Sequence, residues 1–433
     1  MKRGKMKKLL VTLILAIMMV SIIGCSGNTE SSGEASNGEG NEKVTIRFSF
    51  DQGVGEPTQK IVDKYNESQD KVHVETVILP QDANVVHDDF VNKLASGDTS
   101  VDVMALDVVY VAEFAAAGWL EDLGQYFDQS TQSRYLPGTI EGATYNGKLV
   151  AFPWFTNASV LFYRQDIIDQ LGVEVPTTYQ GWMDLEEKIK DLDEIKYVSN
   201  FQAAKSEALV CNWVEYIWNN GGDVLDESGS PVVNTSNNVE ATEIMLDLVE
   251  NYSPEGITTY NEPESEQVFL DGKSLFIRDW SGFWNSANAE GSKVAGKVGA
   301  TTLPIGPNGE EPHSALGGLD LVINKFIDDE HKEAAVDFLR YMASEETQKE
   351  MTLISAQPPV LKSVYEDADV LAEIPFYEKF YGIIEGGKSR PMSPKYAKVS
   401  DAIQRNIHQA LSGETEVKTA LDQLQSELEE LNK

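Results

Sequence analysis

Four segments of the chain place acids, amides or flat aromatic rings where a strand or a helix is expected to end. In Asp51-Gln52-Gly53-Val54-Gly55-Glu56 the glycines let a backbone approach a bound group closely, and Glu56 opens a helix. The segment lacks the Lys-Ser/Thr pair and third glycine of a phosphate loop, and Glu56 repels phosphate, so it does not read as a nucleotide site. A carboxylate there suits hydrogen bonds from a neutral polyol, and it serves equally well as a first-turn helix charge. Asp107 follows the apolar run Val101 to Leu106, where it either faces a crevice or caps the next helix. Phe152-Pro153-Trp154-Phe155-Thr156-Asn157 sets two large rings beside an amide that both donates and accepts. Rings stack on the apolar faces of pyranoses while amides and carboxylates take the hydroxyls; alternatively Trp154 and Phe155 are core. In Phe276-Ile277-Arg278-Asp279-Trp280-Ser281-Gly282-Phe283-Trp284 the Ser-Gly break favours a loop or helix start, with Trp280 as a stacking platform.

A fifth feature is a cysteine. Cys25 closes Ser21-Ile22-Ile23-Gly24-Cys25, after a basic start (Lys2, Arg3, Lys5, Lys7, Lys8) and an apolar stretch from Leu9 to Ile23. The stretch is short for a bilayer span, its flanks are those of a secretory signal, and Gly24 leaves a peptidase room beside the thiol. The reading is a lipoprotein signal over residues 1–24, cleaved to leave a lipidated Cys25. Two acyl chains, at about 0.8 kcal/mol per buried methylene, anchor a soluble body durably. A transmembrane anchor, or an ordinary signal with a chance cysteine, is the alternative.

Other chemistries find few residues to carry them. The second cysteine, Cys211, has no partner for an internal disulfide, and the five histidines (His73, His87, His313, His331, His408) lack metal-ligand spacing. Neither a metal nor a cofactor is indicated. No nucleophile elbow appears; the nearest Gly-Ser pair, Gly229-Ser230, lies in an acidic loop. The formal charge is −35, and loss of residues 1–24 removes five basic and no acidic residues, leaving −40. Such a body repels nucleic acid and anionic headgroups, so neither is expected as a partner.

These residues need elements to hold them. Ser26 to Lys43 carries one apolar residue, Ala35, and reads as a flexible tether. Val44 to Phe50 alternates at period two as a strand, and a Gly-containing turn leads to a helix with Ile61, Val62 and Tyr65. Strands at Val72 to Ile78 and Val101 to Leu106 alternate with helices around Phe90 to Leu94 and Val111 to Ala117. This βαβαβα order predicts a parallel sheet with ligands beyond its carboxyl ends. The middle is helix-rich, strands are expected at 274–277, 298–304 and 320–323, and a helix at 333–343. The last helix (Val417, Leu421, Leu424, Leu428, Leu431) should pack on the body, since two heptads are too few for a coiled coil.

The chain resembles the extracellular solute-binding proteins of carbohydrate importers, in particular the maltose- and trehalose-binding branch. The likeness rests on Asp102-Val103-Met104-Ala105-Leu106-Asp107 followed by Glu113 to Leu120, on Gly147-Lys148-Leu149-Val150-Ala151-Phe152-Pro153, and on Leu161 to Asp166. Further on it rests on Leu316-Gly317-Gly318-Leu319 and Ser389 to Tyr396. It implies polar contacts to sugar from Glu56 and Asp107, an aromatic at Phe155, an amide at Asn157 where the family usually has an acid, and stacking on Trp280. Gly317 and Gly318 match a close backbone approach, and Arg390 matches an arginine reaching the site from the second lobe, although a structural ion pair is the simpler reading. Leu319 stands where a tryptophan often follows the two glycines, which removes one stacking surface.

The expected fold is α/β, the two-lobed periplasmic-binding-protein-like type II form with a ligand cleft and hinge. Lobe 1 takes residues 44–152 and 304–343, lobe 2 residues 153–303 and 344–433, with crossings near 152–157, 303–307 and 342–346. The expected function is capture of a di- or oligosaccharide by cleft closure and delivery to the transmembrane subunits of an ABC permease. The protein is expected to act as a monomer on the outer face of the cell membrane, tethered only through its lipid and performing no catalysis. The rival readings are an exported glycoside hydrolase, using two carboxylates about 5 to 9.5 Å apart, and a binder of a non-sugar solute such as a polyamine or peptide.

Overall fold

The computed structural model describes residues 43–226, 228–391 and 393–432. The signal segment 1–24, Cys25 and the tether to residue 42 lie outside the described residues. Ten strands are named here: β1 (Val44–Asp51), β2 (Val72–Leu79), β3 (Val103–Asp107), the small hairpin β4 (Thr144–Tyr145) and β5 (Lys148–Leu149), β6 (Phe152–Arg164), β7 (Phe276–Trp280), β8 (Val298–Thr301), β9 (Ala315–Ile323) and β10 (Lys388–Ser389).

Alternation drives β1: Ile46, Phe48 and Phe50 are buried while Thr45 and Arg47 face out. The helix Gly55–Ser68 buries Thr58, Ile61, Val62 and Tyr65 on one stripe, and Ala83–Ala95 buries Val86, Phe90 and Leu94. Asp82 starts the second of these by accepting from the N–H groups of Asn84 and Val85. Both helices are crossovers, so β1 pairs in parallel with β2 and with β3.

The main sheet runs β2-β1-β3-β9-β6-β7, with β10 beside β9 and β8 beside β6. The parallel pairing expected from the βαβαβα order holds for β1, β2 and β3, while β9 arrives from late in the chain and runs antiparallel to both β3 and β6. Phe152–Asn157 form the first half of the 13-residue β6, which pairs with β9 there and with β7 and β8 beyond Ala158. Both faces of β6 are buried, so no period-two pattern shows in its sequence.

Two hydrophobic cores result, in the two-lobed α/β architecture. The first gathers around β1 to β3 with the helix Asp329–Met342; the second joins the helices Glu207–Trp218, Ser236–Asp247, Tyr396–Leu411 and Val417–Leu431. The last helix buries Leu421, Leu424 and Leu428 in that second core. β6 serves both cores, with Val160 and Phe162 in the first and Leu161 in the second. Residues 344–385, grouped with the second lobe in sequence, pack on the first core through Met351, Val360, Tyr377 and Phe380. There Tyr135 donates from its hydroxyl to the Ala343 carbonyl at 2.6 Å.

Candidate functional site

The carboxyl ends of β1 and β3 open onto a cavity of about 610 Å³, where parallel strands are expected to present ligand groups. Glu56, Asp107, Phe155, Asn157, Trp280, Gly317, Gly318 and Arg390 all line it. Glu56 sits at the rim, in the first turn of its helix, with its carboxylate 2.9 Å from Lys60 Nζ; that hydrogen bond and charge hold its carboxyl below the usual value. Asp107 fills both roles weighed for it. Its Oδ1 accepts from the Val109 N–H (3.1 Å) as a cap and from Arg390 Nη2 (3.1 Å), while the residue faces the cavity.

Trp154 sits in the first core, edge-on to Phe48 at 5.8 Å, and Phe155, in edge contact with Trp154 at 5.1 Å and part of the same core, also lines the cavity. Asn157 is held as well as exposed to the site. Its Oδ1 accepts from the Ser281 hydroxyl (2.7 Å) and the Ala158 N–H (3.0 Å), and its Nδ2 donates to Gln357 Oε1 (3.4 Å). Asn157 thereby ties β6 to the turn after β7.

Trp280 ends β7, and the helix Phe283–Asn288 begins after the Ser281-Gly282 break. Its indole N–H donates to Glu262 Oε1 (3.4 Å), and the Arg278 guanidinium lies 4.4 Å from the ring centroid. Arg278 is itself clamped by Glu215 through two bonds of 2.8 and 2.6 Å, which fixes the group against the indole. Gly317 lies against the ring edge: a Cβ there would stand 3.2 Å from Trp280 Cζ3. Trp284, by contrast, packs on Phe376 at 5.0 Å.

Arg390 is 2% exposed and is paired on both sides, with Glu207 Oε1 at 2.6 Å and Asp107 at 3.1 Å. Arg390 thus forms the ion pair while also lining the cavity.

Several acids of the cavity wall escaped the sequence reading: Asp51, Asp82, Glu207, Glu262, Glu266 and Asp279. Burial raises the Asp51 carboxyl, against hydrogen bonds from backbone N–H groups. Burial also raises Glu262, and burial together with the neighbouring Glu262 pushes Glu266 up to about 7. Asp279 is raised by burial and by Glu266 and Glu262, and burial raises Glu207 against Arg390, Ser400 and Tyr396, which favour its charged form. Asp279 had a signal, lying one residue before Trp280 at a strand's end; Glu207 and Glu266 sit on helices far away in sequence and had none. No cluster of His, Cys, Asp and Glu able to hold a metal occurs among the described residues.

A family model described as bacterial extracellular solute-binding protein matches residues 51–349. The chain belongs to that family. Among relatives, a probable ABC transporter-binding protein of Deinococcus radiodurans is 30% identical, the match covering 82% of this chain and 86% of that one. A galactooligosaccharide-binding protein of Bacillus subtilis is 24% identical over 96% of this chain and 95% of its own. Among solved structures, maltose-bound MalE3 of T. maritima superposes with a TM-score of 0.86 at 36% identity, over 90% of this chain and all of that one. A ribitol complex of a solute-binding protein from Agrobacterium radiobacter gives 0.82 at 26% identity, over 90% and 98%. As a solute-binding protein of an ABC importer, the chain binds its cargo and does not transform it, so the hydrolase reading finds no support. Among the described residues no helix is long and apolar enough to cross a membrane.

Proposed function

We propose that this solute-binding protein captures a di- or oligosaccharide by closing its cleft and delivers it to the transmembrane subunits of its permease. The observation that carries the reading is the cavity wall itself, where the Trp280 ring and Phe155 stand among carboxylates and the Asn157 amide. Rings cover the apolar faces of a pyranose, and acceptors meet its hydroxyls. Contacts from both cores favour the closed form, whose shape tells a permease that cargo is aboard. The protein acts as a monomer outside the cytoplasmic membrane, held to it by lipid on Cys25. Serine at position 25 is expected to abolish incorporation of a labelled fatty acid and to free the protein from the membrane fraction; unchanged labelling in Cys25→Ser would refute the anchor.

Tryptophan fluorescence against a panel of α- and β-linked glucosides tests the ligand class, with a parallel assay for sugar breakdown. A saturable signal without turnover supports capture. A response to polyamines alone would transfer the acidic cavity to a cationic solute. Trp280→Ala is expected to weaken saccharide binding by about 1 to 3 kcal/mol in a protein that still melts cooperatively. Full affinity in that folded variant would remove Trp280 from the contact surface.

A further inference from the structure

Behind the cavity, side chains of the two cores meet in one hydrogen-bonded chain. Asp107 ends β3, and Asn84 belongs to the helix Ala83–Ala95, both on the first core. Opposite them, Glu207 opens the helix Glu207–Trp218, while Ser400 and Gln404 ride on Tyr396–Leu411. The Glu207 carboxylate, 3% exposed, accepts from Arg390 Nη1 (2.6 Å) and the Tyr396 hydroxyl at Oε1, and from the Ser400 hydroxyl at Oε2. Gln404 Nε2 donates to Ser400 Oγ (2.8 Å) and to Asn84 Oδ1 (3.3 Å), and Asn84 Nδ2 returns a bond of 2.9 Å to Gln404 Oε1.

The geometry of Arg390 gives this chain a purpose. A guanidinium is a rigid planar fork that prefers to grip a carboxylate with two parallel bonds. Here Nη1 is held by Glu207 and the buried Nε has no acceptor among the described residues, so Nη2 alone reaches Asp107, on Oδ1, the oxygen that also caps Val109. Among the described residues Asp107 Oδ2 receives no hydrogen bond, although Asp107 lines the cavity.

We propose that Glu207 is a positioning residue: it restrains Arg390 to one oxygen of Asp107 and so keeps the other oxygen open to a ligand hydroxyl. The consequence for affinity rests on the saccharide reading above, whereas the effect on Arg390 does not. In Glu207→Gln the buried arginine loses one of its two charged partners, and both arms turn to the other, Asp107, closing the acceptor.

The test joins a ligand-free crystal structure of Glu207→Gln to a double-mutant cycle with Asp107→Asn, read by calorimetry with maltose and the panel sugars. The expected result is Arg390 on both oxygens of Asp107, an affinity at least about tenfold lower in the single variant, and no further loss when the change is added to Asp107→Asn. A purely structural role predicts the same loss in both backgrounds; that additivity, or an Arg390 still on one oxygen, overturns the proposal. If Glu207→Gln does not fold, Ser400→Ala loosens the same carboxylate and is expected to show the same non-additivity with a smaller, about threefold, loss. Should the wild type bind no saccharide while Arg390 nonetheless swings to both oxygens, the positioning role stands and the saccharide reading is the one that fails.

Discussion

Gly318→Ala is expected to lower folding stability by about 2 to 6 kcal/mol. Gly318 has φ of +131°, a region that L side chains rarely adopt, and forcing one there costs roughly 1 to 3 kcal/mol. The added Cβ would also stand 2.4 Å from the Phe155 carbonyl oxygen and 2.9 Å from Thr156 Cα. These are backbone atoms of the paired strand, unable to move without disturbing the β6 to β9 register, so overpacking adds a further 1 to 3 kcal/mol or about that. Equilibrium urea unfolding measures the sum, and a midpoint equal to wild type would contradict it. Gly317→Ala makes the contrast, because its Cβ meets the Trp280 ring at 3.2 Å, which can shift by a few tenths of an ångström. That variant should keep its midpoint and lose saccharide affinity.

The second large effect is on pH. Asp320 is buried in β9, across from Leu106 and from Pro153, which has no N–H to offer; its Oδ2 has no hydrogen-bond partner among the described residues. Burial, and then the nearby charge of Asp107, push its carboxyl up to about 8. The sign follows from proton counting. Between about pH 4 and pH 8 the folded state holds a proton that the unfolded state has released, so stability falls as pH rises. One such proton contributes at most about 1.4 kcal/mol per pH unit, a ceiling of about 4 kcal/mol between pH 5 and pH 8. Burial raises Glu262 and Glu266 in the same direction, so wild type alone does not isolate Asp320. Asp320→Asn does: its unfolding free energy should decline less over that interval than that of wild type. Parallel pH profiles for the two proteins would rule out a protonated Asp320.

Local pattern made the first lobe legible. Ile46, Phe48 and Phe50 declare a half-buried strand, and Asp107 closes the apolar run of another at the end where a parallel sheet exposes its ligand groups. The segments around Phe155 and Trp280 were found because large rings next to amides and acids are unusual in a loop, and both residues line the cavity. Gly317, Gly318 and Arg390 came only from family resemblance; nothing in their local sequence announces a positive φ or a doubly paired guanidinium. The antiparallel insertion of β9 was hidden because strand order depends on a contact between residues some two hundred positions apart. The acids on helices, Glu207 and Glu266, look like ordinary solvated charges until the fold buries them. The grouping of residues 344–385 followed chain order, whereas their apolar side chains pack on the first core.

Past the register shift between Pro153 and Phe155, β6 sends successive side chains to different cores, Leu161 one way and Val160 and Phe162 the other. Parity is therefore built into the molecule's middle. Inserting or deleting one residue near Asn157 would invert every side chain downstream to the opposite face, sending what one core needs into the other. Engineers wishing to graft a reporter into this receptor should choose sites elsewhere, since here even a single extra peptide unit would scramble both halves at once.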